Sequence, residues 1–111
     1  MHVPLLPETR NLIDSAALAL VRPEAFLINL ARGGVVDEQA LYDALVEGRL
    51  RGAGMDVHTA EGEGKISPLA ELDNVILTPH IGANSFDAQL EIGDIVIDTV
   101  RSFVQSMDKV A

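Results

Sequence analysis

The chain has 111 residues, 48% of them hydrophobic and 23% charged, and a formal net charge of −9. That length suits one small domain with a modest core. The negative balance argues against nucleic acid, which needs clustered Lys and Arg, and against an anionic membrane surface. An anionic small molecule stays open, because one well-placed Arg can outweigh the global charge. With no cysteine, thiol catalysis, disulfides and thiolate-bound metals are excluded. No apolar run reaches the roughly 20 residues of a membrane span. Met1 to Pro7 lacks the basic and apolar stretches of a signal peptide, so a soluble cytoplasmic protein is expected.

Pro4 and Pro7 make the opening segment extended or looped. Asp14 and Ser15 are good helix caps, and Ala16 to Val21 continue as a helix that Pro23 ends. Phe26 to Leu30 is a continuous apolar run bounded by Pro23 and by Gly33-Gly34, which suits a strand buried on both faces of a parallel sheet. Asp37 caps a second helix with Ala40, Leu41, Ala44 and Leu45 on one face, and Gly48 is placed to end it. Gly52 to Val57 is a short strand candidate, Thr59 to Ser67 an exposed loop, and Val75 to Leu77 a third strand stopped by Pro79. Ser85 to about Met107 forms one long helix.

Alternating helices and strands imply an α/β fold around a parallel sheet. Two features suggest an incomplete object. Three strands make a small sheet, and the final helix is apolar over more than half its circumference. A second domain, another subunit or a swapped copy is expected to pack there.

Three positions sit just beyond strand ends, where open α/β sheets bind ligands. Arg32, followed by two glycines, can present a guanidinium fork to a carboxylate, or simply pair with a nearby acid on the surface. His80, held by a carboxylate such as Glu61, is a candidate general acid/base. Taken alone, Glu61 also fits a solvated loop charge and His80 a loop residue bonded to backbone. A metal site of His58, Glu61 and His80 matches no standard ligand spacing, so no metal is expected. Neither Gly52-Ala53-Gly54 nor Gly62-Glu63-Gly64 completes a G-x-G-x-x-G dinucleotide fingerprint, since Val57 and Ser67 stand at the third position.

Four segments in order form a recognisable pattern: His2 to Ile13, Phe26 to Asp37, Gly54 to Val57 with Glu61 beyond, and Asn74 to Ala83. They resemble the D-isomer-specific 2-hydroxyacid dehydrogenases, a family that includes D-3-phosphoglycerate dehydrogenase. The resemblance implies a partial Rossmann-like, three-layer α/β sheet: the C-terminal half of an NAD-binding domain, residues 1–111, ending in a long helix. It implies a small 2-hydroxy or 2-oxo acid as substrate and NAD or NADP as cofactor, with NAD favoured.

The same resemblance implies roles. Arg32 would bind the substrate carboxylate, His80 would exchange a proton with the substrate oxygen, and Glu61 would hold His80. Asp56 would meet the nicotinamide carboxamide. Pro4, Thr9, Leu30, Ala31 and Arg32 would line the cofactor, and His80, Gly82 and Ala83 would close over its nicotinamide end.

One departure is Gly62, where the family usually has Pro after the catalytic Glu. A larger one is the missing fingerprint and substrate domain, so the isolated chain is expected to bind cofactor weakly and not to turn over. The alternative is a non-catalytic α/β module held together by self-association.

Overall fold

The structure, a computed structural model, describes residues 1–108. It divides into a first unit, Met1–His80, and a second that begins at Ile81.

In the first unit, helix α1 (Ser15–Ala19) is followed by strand β1 (Phe26–Asn29), helix α2 (Glu38–Val46), strand β2 (Gly52–Met55) and strand β3 (Val75–Leu77). The strands run parallel in the order β1-β2-β3. Their register pairs Leu27 with Ala53 and Ala53 with Val75. The expected α/β architecture is present, with β3 at its expected bounds. Helix α1 is shorter than expected. Its last turn tightens as the Leu20 and Val21 N–H groups reach back three residues, to Ala17 and Leu18.

Capping fixes both helix starts. The Asp14 carboxylate accepts the Ala17 N–H at 2.8 Å, and the Asp37 carboxylate accepts the Ala40 N–H at 3.0 Å. Gly48, with φ of 69°, follows the Glu47 cap of α2 in the left-handed region that glycine tolerates. One element was not expected: a 3-10 turn at Pro68–Glu71. Ser67 caps it, Pro68 opens it, and it buries Leu69.

The core lies on one face of the sheet. Leu18 of α1 and Leu41, Ala44 and Leu45 of α2 pack with Ala53, Met55 and Leu69, and Leu27, Val75 and Leu77 border them. The other face differs from expectation. Phe26 is 61% exposed, Ile28 50% and Ile76 73%, so β1 is not buried on both sides. The physical reason is that α1, α2 and the 3-10 turn all serve the same face. On the open face β2 offers only Gly52 and Gly54. A Cβ at Gly52 would lie 3.1 Å from the Phe26 ring, and one at Gly54 would lie 3.1 Å from Ile28 Cδ1. These side chains from β1 therefore lean over the glycines of β2, and the Arg51 guanidinium stands 5.6 Å from the Phe26 ring centre.

The second unit holds helix α3 (Phe86–Asp108), close to the expected bounds. The Ser85 hydroxyl accepts the Ala88 N–H at 3.2 Å and caps it. Its apolar side chains, Leu90, Ile97, Val100 and Val104 among them, are about half exposed or more. Among the described residues, no helix is long and apolar enough to cross a membrane.

Candidate active site

The carboxyl ends of the three strands carry the candidate residues. At the end of β1, Asn29 is fully buried. Its amide oxygen accepts the Ala31 N–H at 3.0 Å and its amide nitrogen donates to the Arg32 carbonyl at 3.2 Å. This side chain shapes the turn that carries Arg32 out of the sheet. Arg32 is exposed, and one guanidinium N–H donates to the Ala31 carbonyl at 2.6 Å. A guanidinium has five N–H donors, so the fork keeps capacity for a ligand.

At the end of β2, Asp56 is 3% exposed and accepts the Thr78 hydroxyl. Val57 is buried, and the chain then turns outward through His58 into the acidic loop. Glu38, in the first turn of α2, fastens both ends of that loop. One of its oxygens accepts the Thr59 N–H and the other accepts the Ser67 hydroxyl. Glu61 is thus displayed on a loop tied down on either side.

At the end of β3, Pro79 stops the strand and His80 adopts φ of 57°. A non-glycine residue in the left-handed region costs on the order of 1 kcal/mol, and such conformations cluster where a side chain must be aimed. Here the ring meets the acid: His80 Nδ1 lies 3.1 Å from Glu61 Oε2. The other oxygen of Glu61 accepts the His58 backbone N–H at 3.0 Å. That backbone bond, with help from the His80 contact, holds the Glu61 carboxyl below the ordinary carboxylate range. An ionised Glu61 can only accept, so Nδ1 of His80 carries a proton, and Nε2 is the nitrogen able to exchange one with a ligand.

Next to this pair is a cavity of about 500 Å³, edged by His58, Glu61, Lys65, Ser67, Thr78 and His80. Arg32 does not line it. The structure therefore joins Glu61 to His80 and leaves Arg32 on the neighbouring turn.

The other expected cofactor residues fall as follows. The Thr9 hydroxyl donates to the Pro4 carbonyl at 2.6 Å and accepts the Leu6 N–H at 2.8 Å, closing the opening loop. That loop is joined to the stretch after Arg32 by the Asn11 N–H, which donates to the Gly34 carbonyl at 2.8 Å. Ala31 is buried and Leu30 half exposed. Gly82 and Ala83 belong to the second unit. Among the described residues, no group of three His, Asp or Glu side chains is placed to hold a metal ion.

Four contributors are missed in their observed roles by a reading of the sequence: Asn29, Glu38, Thr78 and His58, the last considered there only as a metal ligand. An Asn two residues before a turn is a legible signal for the first. The others act across separations of about 20 residues or more, which only strand register and the placement of α2 reveal.

A parallel sheet joined by α-helices, with a carboxylate–imidazole pair beyond its strand ends, defines a Rossmann-like α/β unit. Comparison with known proteins narrows this. The family model for the D-isomer specific 2-hydroxyacid dehydrogenase, NAD binding domain, matches residues 1–82. A D-3-phosphoglycerate dehydrogenase of Haemophilus influenzae is 53% identical over 112 residues, covering 97% of this chain and 27% of its own. One from Methanocaldococcus jannaschii is 46% identical over 105 residues, covering 95% of this chain and 20% of its own. Among solved structures, D-lactate dehydrogenase from Aquifex aeolicus, complexed with NAD and lactic acid, superposes with a TM-score of 0.84 at 36% identity. That match covers 95% of this chain and 36% of the other. The chain belongs to the D-isomer specific 2-hydroxyacid dehydrogenase family. It spans 20% to 36% of the length of these relatives.

Proposed function

We propose that this chain is the C-terminal half of the NAD-binding domain of an oxidoreductase that interconverts a D-2-hydroxy acid and its 2-oxo acid. The observation that carries the reading is the bond between Glu61 and His80 at 3.1 Å, beside an open cavity at the strand ends. In the reductive direction Arg32 grips the carboxylate of the 2-oxo acid. His80 passes a proton to the carbonyl oxygen as C2 becomes CH–OH. Glu61 keeps the ring oriented and supports its positive form. When bound, the nicotinamide cofactor supplies the hydride.

The residues present fit one end of that cofactor. Leu30, Ala31 and His80 would lie beside the ring, with Pro4 and Thr9 on the neighbouring loop, and the buried Asp56, which accepts the Thr78 hydroxyl, would meet the carboxamide. The phosphate end is not provided for. No glycine fingerprint precedes a helix, and the N-terminus of α2 carries Asp37 and Glu38, which oppose an anion. Proton transfer is built into this chain and pyrophosphate binding is not, so the chain alone is expected not to turn over. NAD or NADP would serve, since the similar solved structures include complexes with NAD and with NADPH.

Grafting tests the assignment. Residues 1–111 replace the matching segment of the Haemophilus influenzae relative, and NADH oxidation by 2-oxo acids is followed. The graft is expected to be active, and His80→Asn within it to lower kcat by about 100-fold or more. A folded graft whose kcat ignores His80 removes the proposal.

A second reading is favoured by the exposed apolar side chains of Phe26, Ile28 and Ile76 and of α3. Under it the chain is a module held together by self-association, with no chemistry of its own. Light scattering on the purified chain separates the two, since a stable monomer contradicts the second.

A further inference from the structure

We infer that His58 is a positioning residue: with its ring proton on Nε2, it ties the ends of β1, β2 and β3 together so that Glu61 and His80 meet. The inference rests on the reading of that pair as the acid/base of the site.

Three contacts converge on this one residue. Its backbone N–H donates to Glu61 Oε1 at 3.0 Å, while Oε2 of the same carboxylate meets His80. Its ring Nε2 lies 3.0 Å from the carbonyl oxygen of Thr78, two residues before His80. Its own carbonyl oxygen lies against Gly33, where an added Cβ would stand only 1.8 Å away. Gly33 directly follows Arg32, so the turn presenting that guanidinium rests on the His58 peptide. One residue thus touches the immediate supports of Arg32, Glu61 and His80.

The ring chemistry argues that the Thr78 contact is the reason for a histidine here. A carbonyl can only accept, so Nε2 must donate. Nδ1 is buried and has no hydrogen-bond partner among the described residues. Leaving a polar nitrogen in that state is unfavourable, and a phenyl ring would fill the same space without it. The imidazole is therefore explained by the bond it makes rather than by the volume it fills. Thr78 is held from its other side as well, because its hydroxyl donates to Asp56. The carbonyl that receives His58 is fixed, and His80 follows with little freedom. The charged or titratable groups sharing the cavity with His58 are Glu61, Lys65 and His80, and Asp56 lies behind Thr78.

The test has two readouts on the purified chain and one on the graft. A long-range proton–nitrogen spectrum of the wild-type chain, with the His58 ring assigned through bonds from its own backbone, is expected to show the proton on Nε2. A proton on Nδ1 alone overturns the inference without any variant having to fold. Titration of the Glu61 carboxyl carbon is then compared across three proteins. In His58→Phe the midpoint is expected to rise toward the ordinary carboxylate value, and in His58→Gln, whose amide can still donate to Thr78, to stay low. A folded His58→Phe chain that titrates like wild type overturns the inference. In the graft, His58→Phe is expected to lower kcat on the order of tenfold with the KM for NADH unchanged. An active graft with unchanged kcat contradicts the positioning role. An inactive wild-type graft sinks the oxidoreductase reading, while the two spectroscopic results still decide the role of His58.

Discussion

The two faces of the small sheet show what kind of object this chain is. On one face Leu27, Ala53, Met55, Val75 and Leu77 meet α1, α2 and the 3-10 turn, and the core closes there. On the other, Phe26, Ile28 and Ile76 stand largely exposed over two glycines. The same strands supply both faces, so the difference lies in the helices this unit contributes and not in strand composition. Stability is concentrated on one side of the sheet. The candidate groups Arg32, Glu61 and His80 sit beyond its carboxyl edge, and the loop that carries Glu61 is anchored on Glu38 of α2.

Paired truncations should break this contrast if it is wrong. Leu41→Ala, on the covered face, should cost about 2–5 kcal/mol in urea unfolding. Ile76→Thr, on the open face, should stay within about 0.5 kcal/mol. Similar losses from both would mean that the open face is covered in solution.

Gly33→Ala should come next. Its Cβ would overlap the His58 carbonyl, and neither backbone can move without shifting Arg32 or Glu61. A loss of about 1–3 kcal/mol is expected, with amide-shift changes reaching His58 and Glu61 in NMR spectra. Asn29→Ala removes two hydrogen bonds that shape the Arg32 turn and should cost about 1–2 kcal/mol, read from the same unfolding curves.

The smallest expected effect concerns pH. The folded-state pKa of Glu61 is depressed, first by the His58 N–H and then by His80. Its contribution is therefore present above the unfolded-state value, about 4.3, and is lost as pH falls through the lower folded value. Glu61→Gln should flatten the fall in stability below that pH and leave neutral pH nearly untouched. Denaturant midpoints measured across the acid range would decide it.

Much of the fold was legible because local signals agreed. Asp37 at a cap, an apolar face through Ala40 and Leu45, and Gly48 beyond the end announce α2 without any tertiary information. Val75–Leu77 lies between a turn and Pro79. The Ser67-Pro68 pair could have announced the 3-10 turn, but the polar loop before it masked that signal. The open face of β1 is not legible in sequence, because an apolar run says that a strand can be covered on both faces, not that this unit supplies both covers.

The site was legible only in part. Glu61 and His80 lie 19 residues apart, and nothing local to either one indicates the other. Resemblance to the family picked them out, and the geometry brings them into contact. Asn29, Glu38 and Thr78 have no motif in sequence that marks them, and His58 stands out there only as a rejected metal ligand. Their importance comes from where strand register and the α2 cap place them.

Under the proposed function, Glu61 and His80 would serve proton transfer while this chain offers no loop to grip pyrophosphate. Titrating the purified chain with NADH, following nucleotide fluorescence and light scattering together, tests it most directly. No saturable rise in fluorescence is expected at NADH concentrations that saturate an intact relative. Tight, saturable NADH binding by the chain alone would contradict it.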